Sequence, residues 1–152
     1  MSSINWSRVA LGGLLWNVVY GALVAVEVPQ LAHLWQEETG QAFAPPSGTG
    51  MAVVAGINLL LGFFAIWLYA VIRPHYGPGP RSACIAGVAV WYAGLAPLLL
   101  FNAVAGWFSL RFMAIDAALN LVEVILATLA GAWLYKTQVR APDALSEARH
   151  EA

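Results

Sequence analysis

Residues 51–72, MAVVAGINLLLGFFAIWLYAVI, contain no charged side chain and show no regular alternation of apolar and polar positions. An α-helix needs about 20 mainly apolar residues to cross the hydrocarbon core of a bilayer, and this stretch is long enough. The strands of a membrane β-barrel alternate apolar and polar residues over about 10 positions, which this stretch does not do. The sequence therefore predicts a membrane-spanning helix over residues 51–72.

The composition of the whole chain agrees with a membrane location. Of its 152 residues, 61% are hydrophobic and 10% are charged, whereas a soluble domain has about 25% charged residues. This composition excludes an ordinary cytoplasmic enzyme and a disordered chain. The formal net charge is −1, which gives no electrostatic basis for binding nucleic acid. The single cysteine, Cys84, excludes an internal disulfide framework.

Three further apolar stretches have the length of a membrane span, at about residues 6–26, 83–104 and 112–135. We expect the first to be retained, because no small-residue cleavage site follows it. Together with residues 51–72, they predict an all-α fold, a transmembrane four-helix bundle with antiparallel, up-down connections. The predicted outer loop covers residues 27–50, and a polar cytoplasmic tail covers residues 136–152.

The orientation follows from the basic residues, which are enriched in cytoplasmic loops. If four helices cross the bilayer, six of the seven basic residues share one side. These six are Arg8, Arg73, Arg81, Lys136, Arg140 and Arg149. Both termini are therefore predicted to be cytoplasmic, in the inner (plasma) membrane of a bacterial cell.

Polar side chains inside the predicted spans form the candidate functional site. Asp116, Asn120 and Glu123 are spaced by four and three residues, which places them on one helix face. A charge at the bilayer centre costs about 2.5–3.5 kcal/mol on insertion scales. Glu123 lies at the centre of its predicted span, so we expect it to face the bundle and either to be protonated or to meet a hydrogen-bond donor. The amides of Asn17, Asn58 and Asn120 are the donors predicted at similar depths.

Two interpretations of these polar groups remain open. They form either a proton-accepting or ligand-binding site, or a structural clasp in which each hydrogen bond contributes about 0.6–2 kcal/mol. The clasp is favoured for the three asparagines, whereas Glu123 fits both interpretations equally. Asp116 lies nearer the outer surface. Water can reach its carboxylate there, so its charge costs less free energy than a charge at the bilayer centre.

Two pairs of small residues, each spaced by four, are typical of close helix packing: Ala52 with Gly56, and Ala127 with Gly131. Packing within the chain is the favoured explanation for both pairs, ahead of a dimer interface.

Other chemistry has little support in the sequence. His33, His75 and His150 fall in predicted loops or the tail, so neither a cofactor nor a metal site is expected. Asp116 and Glu123 lack an accompanying nucleophile or metal, which makes an enzyme the least favoured of three functional classes.

Three segments carry a resemblance to a known group of proteins: INWSRVALGGLL at residues 4–15, FAIWLYAVIRPHYGPGPRSACIAGVAVW at residues 64–91, and LVEVILATLAGAWLYK at residues 121–136. The chain resembles a group of small bacterial four-helix integral membrane proteins. The resemblance implies a membrane protein with an acid at the position of Glu123, and it implies no particular activity. Asn17 matches the group's first helix loosely, and the next acid here is Glu27.

The favoured functional hypothesis is a non-enzymatic accessory or assembly subunit of a membrane complex, because the chain is small and has short loops. The alternative is a small binding protein or transporter for an apolar or weakly polar ligand, proton-coupled through Glu123. The expected partners are the lipid bilayer and either another membrane protein or a second copy of the chain, with no nucleic acid.

Overall fold

A computed structural model describes residues 4–44 and 47–136 of the chain. These residues are all-helical and form four helices, each long and apolar enough to cross a membrane. The helices are α1 (Trp6–Thr39), α2 (Thr49–Tyr76), α3 (Pro80–Val104) and α4 (Leu110–Lys136). Four apolar helices of this kind indicate a multi-pass membrane protein. The predicted polar tail lies outside the described residues beyond Lys136.

The first helix is much longer than predicted, since it continues past residue 26 to Thr39. Pro29 lies inside it without ending it. Gly40 ends the helix in a left-handed conformation, with φ of 69°, where its N–H bonds to the Gln36 carbonyl. The predicted loop 27–50 is therefore reduced to residues 40–48, and Glu27 becomes part of a helix.

The third helix changes its hydrogen-bonding pattern halfway along. Residues Trp91–Leu95 form one π-helical turn between two α-helical segments, Pro80–Val90 and Ala96–Val104. Pro97 follows directly, and it has no N–H to give to the carbonyl four residues earlier. The wider π turn accommodates this lost hydrogen bond.

A close helix contact in the bundle joins α1 to α4. A Cβ added at Gly131 of α4 would lie 2.6 Å from the Gly12 carbonyl oxygen of α1, so only glycine permits this approach. Ala127, one turn before Gly131, is completely buried. The predicted packing role of the Ala127–Gly131 pair is thus observed, and Ile66 of α2 packs against the same point.

Two core clusters lie toward opposite ends of the α1–α4 pair. The larger one is centred on Trp16, Ile66 and Val124, which are all completely buried. A smaller cluster joins Leu34 of α1 to Phe112 and Met113 of α4. This second cluster gives the final turns of α1 a tertiary partner, which explains why the helix continues beyond its membrane-length segment.

We refer to the end of the bundle that carries the α2–α3 connection, residues 77–79, as the turn end, and to the end that carries residues 40–48 as the loop end. Near the loop end, α2 and α3 are poorly packed. Residues 47–60 are all exposed apart from the half-buried Asn58, and no residue of Trp91–Val104 is buried. The bundle is therefore tightly packed along α1 and α4 but open on its α2 and α3 side.

Candidate functional site

A row of polar and aromatic side chains follows the buried contact between α1 and α4. The Trp16 indole N–H donates to the Thr128 hydroxyl at 3.0 Å, and the Thr128 hydroxyl donates to the Val124 carbonyl at 2.7 Å. Both side chains are completely buried. The Trp16 ring stacks on Tyr20, with ring centres 4.7 Å apart. The polar side-chain atoms of Trp16, Tyr20 and Thr128 all have hydrogen-bond partners. These three side chains therefore form a structural clasp between α1 and α4.

Asn120 continues the row toward the loop end. Its amide Nδ2 donates to the Tyr20 hydroxyl oxygen at 2.8 Å. The sequence predicted Asn120 as a donor for Glu123, but the amide N–H serves Tyr20 instead. The Asn120 Oδ1 atom is buried and has no hydrogen-bond partner.

The two buried acids of the interface face each other. Glu27 of α1 is 7% exposed and Glu123 of α4 is 6% exposed. Their side chains interact directly, and Glu27 Oε1 and Glu123 Oε2 are buried without a hydrogen-bond donor. We refer to Glu27 and Glu123 as the acid pair. The prediction that Glu123 faces the bundle is confirmed, although its neighbour is an acid.

Asp116 completes a group of three carboxyls. It is half-buried on α4, and its charge acts on both members of the acid pair and on Tyr20. Tyr20 is itself 7% exposed. The structure thus brings together Asp116, Asn120 and Glu123, as their spacing predicted.

Asn17 and Asn58 do not take part in the contacts of this group. The Asn17 amide donates to the Gly13 carbonyl of its own helix at 2.9 Å, and its Nδ2 atom lies against Gly62 of α2. Asn17 therefore faces α2 rather than Glu123, which corrects the predicted arrangement. Asn58 is half-buried in the open part of α2. Similar depth did not bring these amides to the acid, because they lie on different helix faces.

Sequence reasoning missed Tyr20 and Glu27 as site residues. The sequence contains one signal for them, since Trp16, Tyr20 and Glu27 are separated by four and seven residues and so share a helix face. That signal is visible only if α1 extends beyond residue 26. The predicted helix end placed Glu27 at the membrane boundary, where an acid needs no explanation.

A separate apolar groove lies between α3 and α4, near the loop end. Its volume is about 200 Å³. Trp91 lines it, and the buried indole N–H of Trp91 has no hydrogen-bond partner. The other lining residues are Ala96, Leu99, Leu100, Ala103, Leu110, Met113, Ala114 and Ala117.

The polar side chains at the interface can form hydrogen bonds and exchange protons. Among residues 4–44 and 47–136, no three His, Cys, Asp or Glu side chains are placed to hold a metal ion. His33 instead pairs with Glu37 at 3.5 Å on an exposed face of α1. Comparison of the chain with protein-family models, curated proteins and solved structures finds no match.

Proposed function

We propose that this protein is a non-enzymatic accessory or assembly subunit of a membrane complex. The observation that carries the proposal is the open side of the bundle, where residues 47–60 of the α2 region are all exposed apart from the half-buried Asn58. Membrane helices associate through van der Waals packing of small residues and interhelical hydrogen bonds. A helix half that is left unpacked by its own chain is available to a helix of another chain.

The small residues of α2 on this surface would let another helix approach closely. Ala52 and Gly56 are both exposed, and a Cβ added at Gly56 would meet no atom within 4 Å. The equivalent pair in α4, Ala127 and Gly131, is buried against α1. Packing within the chain accounts for the second pair and not for the first. This difference supports contact of Ala52 and Gly56 with a helix of a partner or of a second copy.

The proposal includes a location in the inner (plasma) membrane of a bacterium, with antiparallel helices and both termini cytoplasmic. Contacts at both ends of α1 support the antiparallel arrangement. Arg8 donates to the Tyr135 carbonyl at 3.4 Å, and Ser109 donates to Glu38 at the other end. The bias of basic residues toward the turn end supports the cytoplasmic location of the termini.

The mass of the protein extracted in mild detergent tests the proposal. We expect an assembly larger than the single 16.2 kDa chain. Replacing Ala52 by Leu should weaken the assembly about tenfold or more, which corresponds to about 1.4 kcal/mol. Ala10→Leu is the matched control, because Ala10 is exposed on α1 and has Trp6 and Leu14 four residues away instead of small residues. A wild-type protein that is strictly monomeric and has no co-purifying subunit contradicts the proposal.

A second candidate function is the binding of an apolar or weakly polar ligand. The groove between α3 and α4 favours it, since its lining is apolar and includes Trp91, whose buried indole N–H has no hydrogen-bond partner. Binding sites for small molecules commonly combine an apolar lining with a few polar groups.

Filling the groove tests this candidate. A brominated alkanol should quench the fluorescence of Trp91, measured as the difference between the wild type and Trp91→Phe. Ala117→Phe places a ring in the groove and should abolish that difference, while Ala10→Phe on the far helix should preserve it. Equal quenching of Trp91 in Ala117→Phe and Ala10→Phe would mean that the alkanol acts from the surrounding detergent and not from the groove.

A further inference from the structure

The acid pair presents a charge problem inside the bundle. Glu27 and Glu123 are each more than nine-tenths buried, and their side chains touch. An ionised carboxylate can only accept hydrogen bonds, so two ionised carboxylates cannot bond to each other. Two like charges in contact at low dielectric also repel strongly. A direct hydrogen bond between the two side chains therefore requires one proton.

The unpartnered atoms around the pair point to the same missing species. Three buried atoms of this interface lack a hydrogen-bond partner: Glu27 Oε1, Asn120 Oδ1 and Glu123 Oε2. All three are acceptors. The Asn120 amide donates one of its two N–H groups to the Tyr20 hydroxyl, and the unpartnered oxygens of the two acids receive no hydrogen bond from it. A proton bound between the acids adds a donor to this group of acceptors.

The surrounding charges do not supply a counter-ion. The titratable groups that act on the acid pair are Tyr20 of α1 and Asp116 of α4, and neither is cationic. The titratable residues of α2 and α3 are placed elsewhere: six lie toward the turn end and one, near mid-helix, is exposed. These are Tyr69, Arg73, His75, Tyr76, Arg81, Cys84 and the exposed Tyr92.

A metal cation is the other species that neutralises carboxylates. The described residues contain no arrangement of three His, Cys, Asp or Glu side chains suited to a metal ion. Two interacting carboxyl side chains can instead hold one proton between an oxygen of each.

We propose that Glu27 and Glu123 form a proton-binding site that holds one shared proton between α1 and α4. Paired carboxyls elsewhere share a proton for the same reason, because both cannot ionise at close range. Release of the proton leaves two negative charges facing each other across the main helix contact. The site therefore links proton binding to the packing of α1 against α4, whether or not the protein has a partner.

Infrared spectroscopy of the full chain with isotopically labelled glutamate tests the proposal, because it resolves the C=O stretch of protonated glutamate from that of Asp116. At neutral pH and in buffer with sodium, we expect a signal equivalent to one protonated glutamate per chain. Glu27→Gln and Glu123→Gln should each abolish it, since a glutamine amide donates to the remaining carboxylate and replaces the proton. Glu37→Gln, on the exposed face of α1, should retain the signal.

Several results overturn the proposal. A signal that survives in either single variant assigns the proton to one carboxyl alone. A signal that appears only after sodium is removed assigns the site to a metal cation. Should the variants not fold, the labelled wild-type protein still decides the question, because absence of any protonated glutamate signal at neutral pH excludes a shared proton.

Discussion

The contact between Gly12 and Gly131 permits a quantitative prediction about the packing of α1 on α4. A Cβ added at Gly131 would lie 2.6 Å from the Gly12 carbonyl oxygen and 2.5 Å from Cδ1 of Ile66. Ordinary contacts of this kind begin at 3.4 Å, so the helices must separate by up to 0.8 Å to admit a methyl group. A gap of 0.5–1 Å forfeits roughly a quarter to a half of the attraction between the facing atoms.

Gly131→Ala should lower the free energy of unfolding by about 1–3 kcal/mol, the usual cost of overpacking a core. The gain of about 0.5–1 kcal/mol from replacing a helical glycine by alanine offsets part of this loss. Gly21→Ala is the matched control, since a methyl group there meets no atom and only the gain remains. Unfolding in a detergent titration, followed by near-UV circular dichroism of the tryptophans, measures both variants.

A companion variant separates the two sources of the clash. Ile66→Val removes Cδ1 but leaves the Gly12 carbonyl in place, so Ile66→Val combined with Gly131→Ala should recover only part of the lost stability. Gly131→Ala and Gly21→Ala proteins of equal stability would refute the close approach of α1 and α4.

Two further predictions concern side-chain hydrogen bonds. In a double-mutant cycle, Trp16→Phe and Thr128→Val should show a coupling energy of about 0.6–1.7 kcal/mol, because the indole N–H and the hydroxyl pair in a buried site; strictly additive losses of unfolding free energy would contradict the bond. For the second prediction, Ser109→Ala removes both the bond from the Phe112 N–H and the bond to Glu38. It should destabilise the first turn of α4 by about 1 kcal/mol, because the Ser109 hydroxyl accepts from the Phe112 N–H at 3.0 Å. Hydrogen exchange of the Phe112 amide measures this loss, and Ser47→Ala, which removes no side-chain cap of α2, should leave exchange unchanged.

The proton site and the open side of α2 differ in how tightly they are packed. The acid pair lies in the best-packed interface, where opening is costly, so it is suited to a stable proton rather than to rapid exchange. The exposed residues 47–60 have few contacts to lose. Binding of a partner at α2 therefore leaves the α1–α4 interface intact, and the two proposals can fail independently.

The number of helices and the face shared by Asp116, Asn120 and Glu123 were predictable from the sequence. Charge-free runs of membrane length decide the first, because the bilayer requires every backbone polar group to bond within its own helix. Helical periodicity decides the second, because residues three and four apart lie side by side. Neither inference depends on how the helices pack.

The end of α1 and the partner of Glu123 were decided by tertiary structure. Pro29 and the charges that follow it predict a loop, yet Leu34 packs against Phe112 and Met113, and this contact favours continuing the helix to Thr39. Extension of α1 then carries Glu27 into the interface. A depth argument selected Asn17 as the neighbour of Glu123, whereas the close approach of Gly12 to Gly131 sets the helix rotation that turns Asn17 toward α2.

The sequence alone determined that this chain forms four apolar helices and that one of them carries an acid at its centre, since length, charge and periodicity are local properties. Only the tertiary structure decided that this acid meets a second acid and that Ala52 and Gly56 remain unpacked. Those facts depend on which helix faces meet. Contacts between residues at least 100 positions apart, such as Gly12 with Gly131 and Tyr20 with Asn120, set which faces these are.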